Sequence, residues 1–168
     1  MWAALSLCAL IACMHCSLAE QPNIILMNMD DLGWGDLGVM GHPAKETPNL
    51  DKMASEGILF TEFYTSAAIC SPSCATLLTG RLPLRNGFYQ STYPGRNAYT
   101  PQDIMGGIQD QELLIPELLG KVGYRSKLVG KWHLGHQEQF LPLKHGFQVI
   151  FAATATATFS SVGMVWSS

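Results

Sequence analysis

A short, almost continuous apolar run near the start of the chain limits the folds that this sequence can adopt. Residues 23–29 read NIILMNM, and Asp30 and Asp31 follow directly, before the glycine-rich residues 32–38. Such a run is typical of a strand in a parallel sheet that is covered on both faces. Ligands of open α/β sheets bind beyond the carboxyl ends of the strands. The sequence therefore predicts that both carboxylates lie at a ligand-binding edge.

A helix and a possible second strand are predicted next along the chain. Thr47 and Pro48 are residue types preferred at the N-cap and first position of a helix, and Gly57 can end it. Residues 58–64 then alternate in the manner of a strand. The apolar stripe of the helix would consist of Leu50, Met53 and Ala54.

A second helix is predicted from residues 71–72 to Gly80, so that Cys70 lies at its N-terminus. A cysteine in that position has its thiolate stabilised by the helix dipole and the free N–H groups, which favours a reactive thiol. The alternative is a buried, inert cysteine. A bond between Cys70 and Cys74 is also conceivable, because residues four apart are neighbours on a helix.

A third helix and a strand complete the predicted alternation. The helix begins at Pro116 and closes at Gly123, and the strand covers residues 126–129 before the segment GKWHLG at 130–135. The buried face of this helix would consist of Leu118, Leu119 and Val122. Strands that alternate with helices indicate an α/β sandwich.

The composition is that of one globular domain. Of the 168 residues 48% are hydrophobic and 14% are charged, and the formal net charge is −3. A chain without a basic surface is not expected to bind nucleic acid. An acidic polysaccharide would have to be held by a local cationic pocket.

The first nineteen residues carry no charged side chain and predict a secretory signal peptide. Residues 5–13 are apolar, and residues 17–19 place small side chains at the −3 and −1 positions of a cleavage site before Glu20. A membrane span is disfavoured because the segment is short. An ordinary buried N-terminal helix is the other alternative. Cleavage would leave Cys70 and Cys74 as the remaining cysteines, too few for a disulfide framework.

Asp30 and Asp31 would repel each other unless a cation lies between them. Oxygen-only ligands favour a hard ion such as Ca²⁺ or Mg²⁺. The alternative is a solvated turn, which an Asp-Leu-Gly segment would also satisfy. A zinc site built from Cys70, Cys74, His133 and His136 has suitable ligand types but lacks the spacing of a zinc finger.

Lys131 and His133 flank Trp132 and would project to one face of an extended chain. A cation and an imidazole on one face could hold an anion and protonate a leaving group. The alternative is a surface lysine and a histidine bonded to the backbone. Tyr99 is uninformative alone and could belong to the core.

Residues 148–168 form an uncharged tail dominated by alanine, threonine and serine after Gln148. A lipid-spanning helix is disfavoured because the hydroxyl side chains dilute its hydrophobicity. A buried strand is a second alternative. A sequence that was not selected to fold at this place, such as a splice or gene-model product, is the favoured interpretation.

Four motifs occur together in an order that resembles the sulfatase family. They are the segment around Asp30 and Asp31, TPNLD at 47–51, CSPSCATLLTG at 70–80 and GKWHLG at 130–135. The third is similar to the sulfatase signature C-x-P-S-R-x-x-L-L-T-G, with Cys74 in place of the arginine. The resemblance covers residues 22–147. It implies the alkaline-phosphatase-like α/β sandwich of that family, with a mixed, largely parallel central sheet, in truncated form. Residues 20–147 would be the N-terminal part of a catalytic domain.

The resemblance also implies a role for each matching residue. Cys70 would be the precursor of formylglycine, whose hydrated aldehyde attacks the sulfur and later releases sulfate. Lys131 and His133 would be catalytic and contact the sulfate and the leaving group, and Tyr99 would bind substrate. One Ca²⁺ would be held by Asp30, Asp31 and the modified Cys70. The missing arginine normally supports the formylglycine and helps to recruit the modifying enzyme.

The function implied is hydrolysis of sulfuric esters, with removal of 6-O-sulfate from galactosamine or galactose residues of glycosaminoglycans. The implied partners are that substrate and a formylglycine-generating enzyme, in the secretory pathway and the lysosome; a homodimer is left open. One alternative is a catalytically inactive fragment, because the family's second pair of metal ligands and its later catalytic histidine and lysine lie beyond the resemblance. A phosphatase-like relative is disfavoured, because such relatives use serine or threonine as the nucleophile.

Overall fold

The computed structural model describes residues 21–89, 106–153 and 161–167. The predicted signal peptide at 1–19 and Tyr99 lie outside these residues. Within the described ranges no helix is both long and apolar enough to cross a membrane.

A four-stranded sheet forms the centre of the described structure. Its strands are β1 (Ile24–Met29), β2 (Arg125–Lys131), β3 (Val149–Ala153) and β4 (Ser161–Ser167), in the order β1-β4-β2-β3. β2 and β3 are parallel, and β4 is antiparallel to both of its neighbours, β1 and β2. Three strands therefore run in one direction and one runs against them, which confirms the predicted mixed α/β sheet.

In the described ranges, four α-helices and three short 3₁₀ helices accompany the sheet. The α-helices are α1 (Pro48–Glu56), α2 (Cys70–Thr79), α3 (Pro83–Asn86) and α4 (Ile115–Gly120). The 3₁₀ helices are Gly38–Met40, Glu138–Phe140 and Pro142–Lys144. α2 ends as predicted at Gly80, whose positive φ of 65° lets its N–H bond to the carbonyl of Thr76.

The core lies where α2, α4 and the middle strands β2 and β4 meet. Trp132 packs edge-on against Phe147 and stacks on His145. The other large side chains of this core that are fully or almost fully buried are Leu78, Ile108, Leu114, Leu128, Leu134, Met164 and Trp166. β1 contributes less, with Leu26 partly buried against this cluster.

Three local predictions are wrong. Residues 58–64 form no strand, and Ile58 is 81% exposed, because no strand in the described residues lies beside this segment. β1 forms as predicted but is not covered on both faces, since Ile25 is 66% exposed. α4 is shorter than predicted and packs through Leu114 and Pro116 at its N-terminus, which leaves Leu118 and Val122 exposed.

The tail after residue 147 contains two of the four strands. β3 begins at Val149, and β4 occupies residues 161–167. Of the three alternatives for this segment, the described residues correspond to the buried strand, because Met164 and Trp166 are buried in the core. The boundary proposed at 147/148 stays a prediction.

Candidate active site

Cys70 is the first residue of α2, at the point where the extended residue Ile69 enters the helix. Its side chain is partly buried and is a free thiol, as is that of Cys74. Ile69 accepts the N–H of Ser73 through its carbonyl at 3.1 Å, which fixes the first turn. The predicted placement of Cys70 at a helix N-terminus is confirmed.

Asp30 follows β1 and faces Cys70. The Cys70 Sγ lies 3.5 Å from Oδ1 and 3.8 Å from Oδ2 of Asp30, so the thiol can donate to this carboxylate. The two residues are forty positions apart in sequence. The strand and the helix therefore bring the sulfur and the carboxylate together.

Lys131 ends β2 and binds the same carboxylate through a short hydrogen bond and ion pair with Asp30. Burial raises the pKa of Asp30, but the hydrogen bond and charge of Lys131, with a smaller effect of Cys70, lower it below its ordinary value. Burial lowers the pKa of Lys131, but hydrogen bonds to Asp30 and Cys70 outweigh burial and raise it. Both groups are therefore charged near neutral pH.

Asp31 lies beside this cluster but has different surroundings. It has a φ of 62°, a left-handed conformation that aspartate tolerates better than most residues. It is exposed, and it lines the same pocket as Asp30 and Cys70. The two adjacent carboxylates thus have separate surroundings, one paired with Lys131 and one open to solvent.

His133 lies two residues beyond Lys131 and also has a positive φ, of 58°. Its carbonyl accepts a hydrogen bond from Ser71 Oγ at 2.6 Å, which joins the first turn of α2 to the segment after β2. Both ring nitrogens are buried, and neither has a hydrogen-bond partner among the described residues. Burial, and then the charge of Lys131, lower the pKa of His133, while Asp30 acts in the opposite direction.

Ser71 is a residue that the sequence reasoning missed. It is 1% exposed, and its hydroxyl forms the Ser71–His133 bond described above. Its position next to Cys70 was the only sequence signal that could have drawn attention to it.

Cys74 lies one helical turn after Cys70, where the family signature has arginine. It is buried, and burial raises the pKa of its thiol to about 11, with a smaller raising effect of Cys70 and Asp30 and a lowering effect of Lys131. The Cys74 side chain is therefore a neutral thiol near neutral pH. It supplies no positive charge to the site.

A pocket of about 220 Å³ opens beside these residues. It is lined by Asp30, Asp31, Cys70 and Cys74, and by residues at the end of β1, in the adjoining loops and in α2. The lining residues from those parts are Asn28, Met29, Leu32, Thr65, Ala67, Ala68, Ile69 and Ser73.

The donor set for a metal ion is incomplete in the part of the chain that the structure describes. No group of three or more His, Cys, Asp and Glu side chains there could hold a metal ion, which also disfavours the zinc alternative. Asp30 and Asp31 offer at most about four oxygens, whereas Ca²⁺ takes about 6–8. One of the Asp30 oxygens is already bound to Lys131. The residues present do not by themselves fit a calcium ion.

Known proteins similar to this chain are sulfatases. The sequence profile of the sulfatase family matches residues 22–161. The chain is 65% identical over 134 residues to N-acetylgalactosamine-6-sulfatase of Homo sapiens, a match that covers 80% of this chain and 26% of the relative. It is 47% identical over 133 residues to Arylsulfatase A of Homo sapiens, covering 78% of this chain and 25% of the relative. The chain thus spans about a quarter of the length of these curated relatives.

The fold is also similar to that of solved proteins. The crystal structure of Ps i-CgsB matches with a TM-score of 0.64 and 34% identity, over 76% of this chain and 27% of that one. The same protein in complex with k-i-k-neocarrahexaose matches with a TM-score of 0.65 and 33% identity, over the same shares of the two chains. Because the family match includes the strand before Asp30, the helix that begins at Cys70 and the strand that ends at Lys131, this chain belongs to the sulfatase family.

Proposed function

We propose that this chain is a sulfuric ester hydrolase that removes 6-O-sulfate from galactosamine or galactose residues of glycosaminoglycans. The observation that carries the proposal is that Asp30 contacts both Cys70 and Lys131, so that three separate elements bring these side chains together. The substrate class is supported by the 65% identity to a protein named N-acetylgalactosamine-6-sulfatase.

Sulfatases generally work with a formylglycine residue and a metal ion. We propose Cys70 as the formylglycine precursor. A separate formylglycine-generating enzyme and its two-electron oxidant would oxidise the Cβ, so that the Cβ–S bond breaks, the sulfur leaves as sulfide and a carbonyl group forms. Once formed and hydrated, the aldehyde would supply the oxygen that accepts the sulfuryl group and a second hydroxyl that expels sulfate. Overall one water is consumed, and the ester becomes an alcohol and sulfate.

Lys131 would hold the anionic sulfate group near Cys70. Its side chain is 12% exposed and its ammonium already binds a carboxylate, so it can bind an anionic oxygen in a poorly solvated site. Charge that develops on sulfate oxygens would be offset there by a group that needs no rearrangement. Asp30 would keep Lys131 charged and orient it toward the sulfur of Cys70.

His133 would exchange a proton with the departing sugar oxygen. A neutral imidazole has one nitrogen that donates and one that accepts, and both nitrogens of His133 lack partners among the described residues. Its lowered pKa keeps the ring neutral near pH 7. Tyr99 is proposed to bind the sugar, and it lies outside the described residues.

A calcium ion is proposed at Asp30, Asp31 and the modified Cys70, as in the family. Because the described residues offer an incomplete donor set, the remaining ligands would have to come from elsewhere. The roles assigned to Lys131 and His133 do not depend on that ion.

The proposed location is the secretory pathway and the lysosome, with residues 1–19 as the signal that directs entry. The proposed partners are the sulfated glycosaminoglycan and the formylglycine-generating enzyme, and a homodimer is left as an option.

A catalytically inactive fragment is a second candidate. It is favoured by the neutral thiol of Cys74 in the place of arginine and by a chain that spans about a quarter of its curated relatives. The two candidates differ in turnover and in the chemical state of Cys70.

The experiment is turnover of a chromogenic sulfate ester by the full chain, made in cells that contain a formylglycine-generating enzyme. Hydrolysis that disappears in a Cys70→Ala variant supports the hydrolase. Equal rates in the two proteins, or no hydrolysis above background with an unmodified Cys70, support the inactive fragment.

A further inference from the structure

β4 comes from the end of the chain yet lies in the middle of the sheet. It pairs with β1 on one side and β2 on the other, antiparallel to both. The sulfatase profile matches residues 22–161, so Ser161 is the one residue of β4 within the match. A segment outside the family match therefore separates two strands that lie within it.

The pairing gives β4 a bridging position residue by residue. Gly163 is opposite Met27 of β1 and opposite Val129 of β2. Met164 is opposite Leu26 on one side and Leu128 on the other. Because β1 and β2 are each one strand spacing from β4, they are about 10 Å apart and form no ladder with each other.

Two large side chains anchor β4 in the core. Met164 is 3% exposed and Trp166 is 2% exposed, and both belong to the cluster that contains Leu128 and Trp132. Val165, between them, points to the opposite face and is only partly buried. Burial of Met164 and Trp166 therefore holds β4 in the sheet independently of its pairing with β1.

β1 has few other attachments. Within the described residues its one neighbour in the sheet is β4. Just before the strand, the Tyr124 hydroxyl donates to the carbonyl of Pro22 at 2.9 Å, and the Gln21 amide donates to the carbonyl of Val122 at 2.9 Å. Just after it, Asp30 binds Lys131 and Cys70. Between these end points the backbone of the strand is held through β4, and Leu26 packs against the core cluster that includes Met164 and Trp166.

We propose that β4 is the element that attaches β1 to the rest of the domain and thereby sets the position of Asp30 relative to Lys131 and Cys70. β4, in the second half of the tail, is thus an internal strand of the sheet that supports the site. This inference does not rest on the chain being a hydrolase, because it concerns only the geometry of the sheet.

Hydrogen–deuterium exchange of the full chain tests the proposal, with Met164→Asp as the disrupting variant. A charge at a buried position of β4 should release the strand. Peptides that cover β1 should then exchange about tenfold faster or more, whereas peptides that cover β3, which pairs with β2, keep their protection. Val165→Thr is the matched control, since it changes the neighbouring residue on the less buried face and keeps a β-branched side chain.

A milder variant, Met164→Ala, removes packing without adding a charge and is interpreted in the same way if the aspartate variant is not obtained as soluble protein. Faster exchange in β1 and β4, and in the part of β2 that pairs with β4, with β3 still protected, supports the proposal. Unchanged protection of β1 overturns it, because the strand would then be held by its end contacts. Simultaneous loss of protection in β1 and β3 also overturns it, because β4 would then stabilise the whole domain rather than β1.

Discussion

Lys131 and Asp30 form an ion pair although the strands that carry them are not neighbours in the sheet. Lys131 is the last residue of β2 and Asp30 follows β1, so both lie at the carboxyl ends of strands that run in one direction. β4 lies between these strands, and the ion pair forms at the edge of the sheet where β4 begins. The ion pair therefore depends both on the order of the strands in the sheet and on the arrangement of the site.

Replacing Lys131 by methionine is expected to destabilise the fold. The side chains of Lys131 and Asp30 are 12% and 22% exposed, so the carboxylate would be left partly buried without its partner. The free energy of unfolding in urea should fall by about 1–3 kcal/mol, less than for a fully buried pair. Lys45→Met, which breaks the exposed pair with Asp36, is the control and should change stability much less. Equal losses in the two variants would contradict the importance assigned to burial.

Ser71→Ala should weaken the link between α2 and the segment after β2. The variant removes the hydroxyl of Ser71, a residue that is 1% exposed, and leaves the carbonyl of His133 without its donor. The expected loss is about 1–3 kcal/mol in the free energy of unfolding. Ser55→Ala is a suitable control, because its hydroxyl bonds to the carbonyl of Lys52 on the surface of α1 and should contribute little. A Ser71 variant as stable as the parent would show that this bond does not hold the two elements together.

Cys74→Arg is expected to increase the rate of sulfate ester hydrolysis. The neutral thiol lines the pocket next to Cys70 and Asp30, so a guanidinium could extend into that space and add the missing positive charge. Turnover of a chromogenic sulfate ester should rise by a factor on the order of 10²–10³. Cys74→Met is the control, because its side chain is intermediate in length between cysteine and arginine and carries no charge. If it raised turnover as much as arginine does, the effect could not be electrostatic.

The free energy of unfolding should decrease as the pH falls below neutrality, and protonation of His145 should cause part of this decrease. Burial lowers the pKa of His145, against smaller raising effects of Glu117 and Asp110, and its Nε2 is buried without a partner in the described structure. The unfolded chain then binds a proton near pH 6.5, where the folded chain does not, so the stabilisation is complete above about pH 6.5 and is lost as the pH falls toward the folded pKa.

Chemical unfolding between pH 7.5 and 5 measures this dependence, with His145→Gln compared with the parent. The variant should show a shallower loss of stability, although not a flat one, because the pKa of His133 is also lowered. His136→Gln, at an exposed position, should follow the parent. A His145 variant with the parent's pH dependence would rule out this histidine as a source.

The parts of the site that depend on local sequence could be predicted. The start of α2 at Cys70, its end at Gly80 and the position of Asp30 after an apolar strand all follow from residue types within a few positions of each other. The grouping of Asp30 with Lys131 and Cys70 was expected from the resemblance to the sulfatases. The unusual backbone of His133 and its bond to Ser71 depend on how α2 packs against the segment after β2, which no local pattern encodes.

The predictions that failed depend on distant neighbours. Residues 58–64 alternate like a strand but have no strand beside them among the described residues, so their amide groups have no ladder to join. β4 was one of three alternatives for the tail, because pairing with both β1 and β2 is a property of the whole sheet. The exposure of Ile25 was also not predictable, because an apolar strand sequence does not show whether another layer packs against each face of the strand.

Mass spectrometry of the peptide that contains Cys70 tests the central claim most directly. The full chain and its Cys74→Arg variant would be made side by side in cells that contain a formylglycine-generating enzyme. We expect the aldehyde form of Cys70 in the arginine variant and a smaller fraction of it in the parent chain. A thiol that remains unmodified at Cys70 in both proteins would contradict the account.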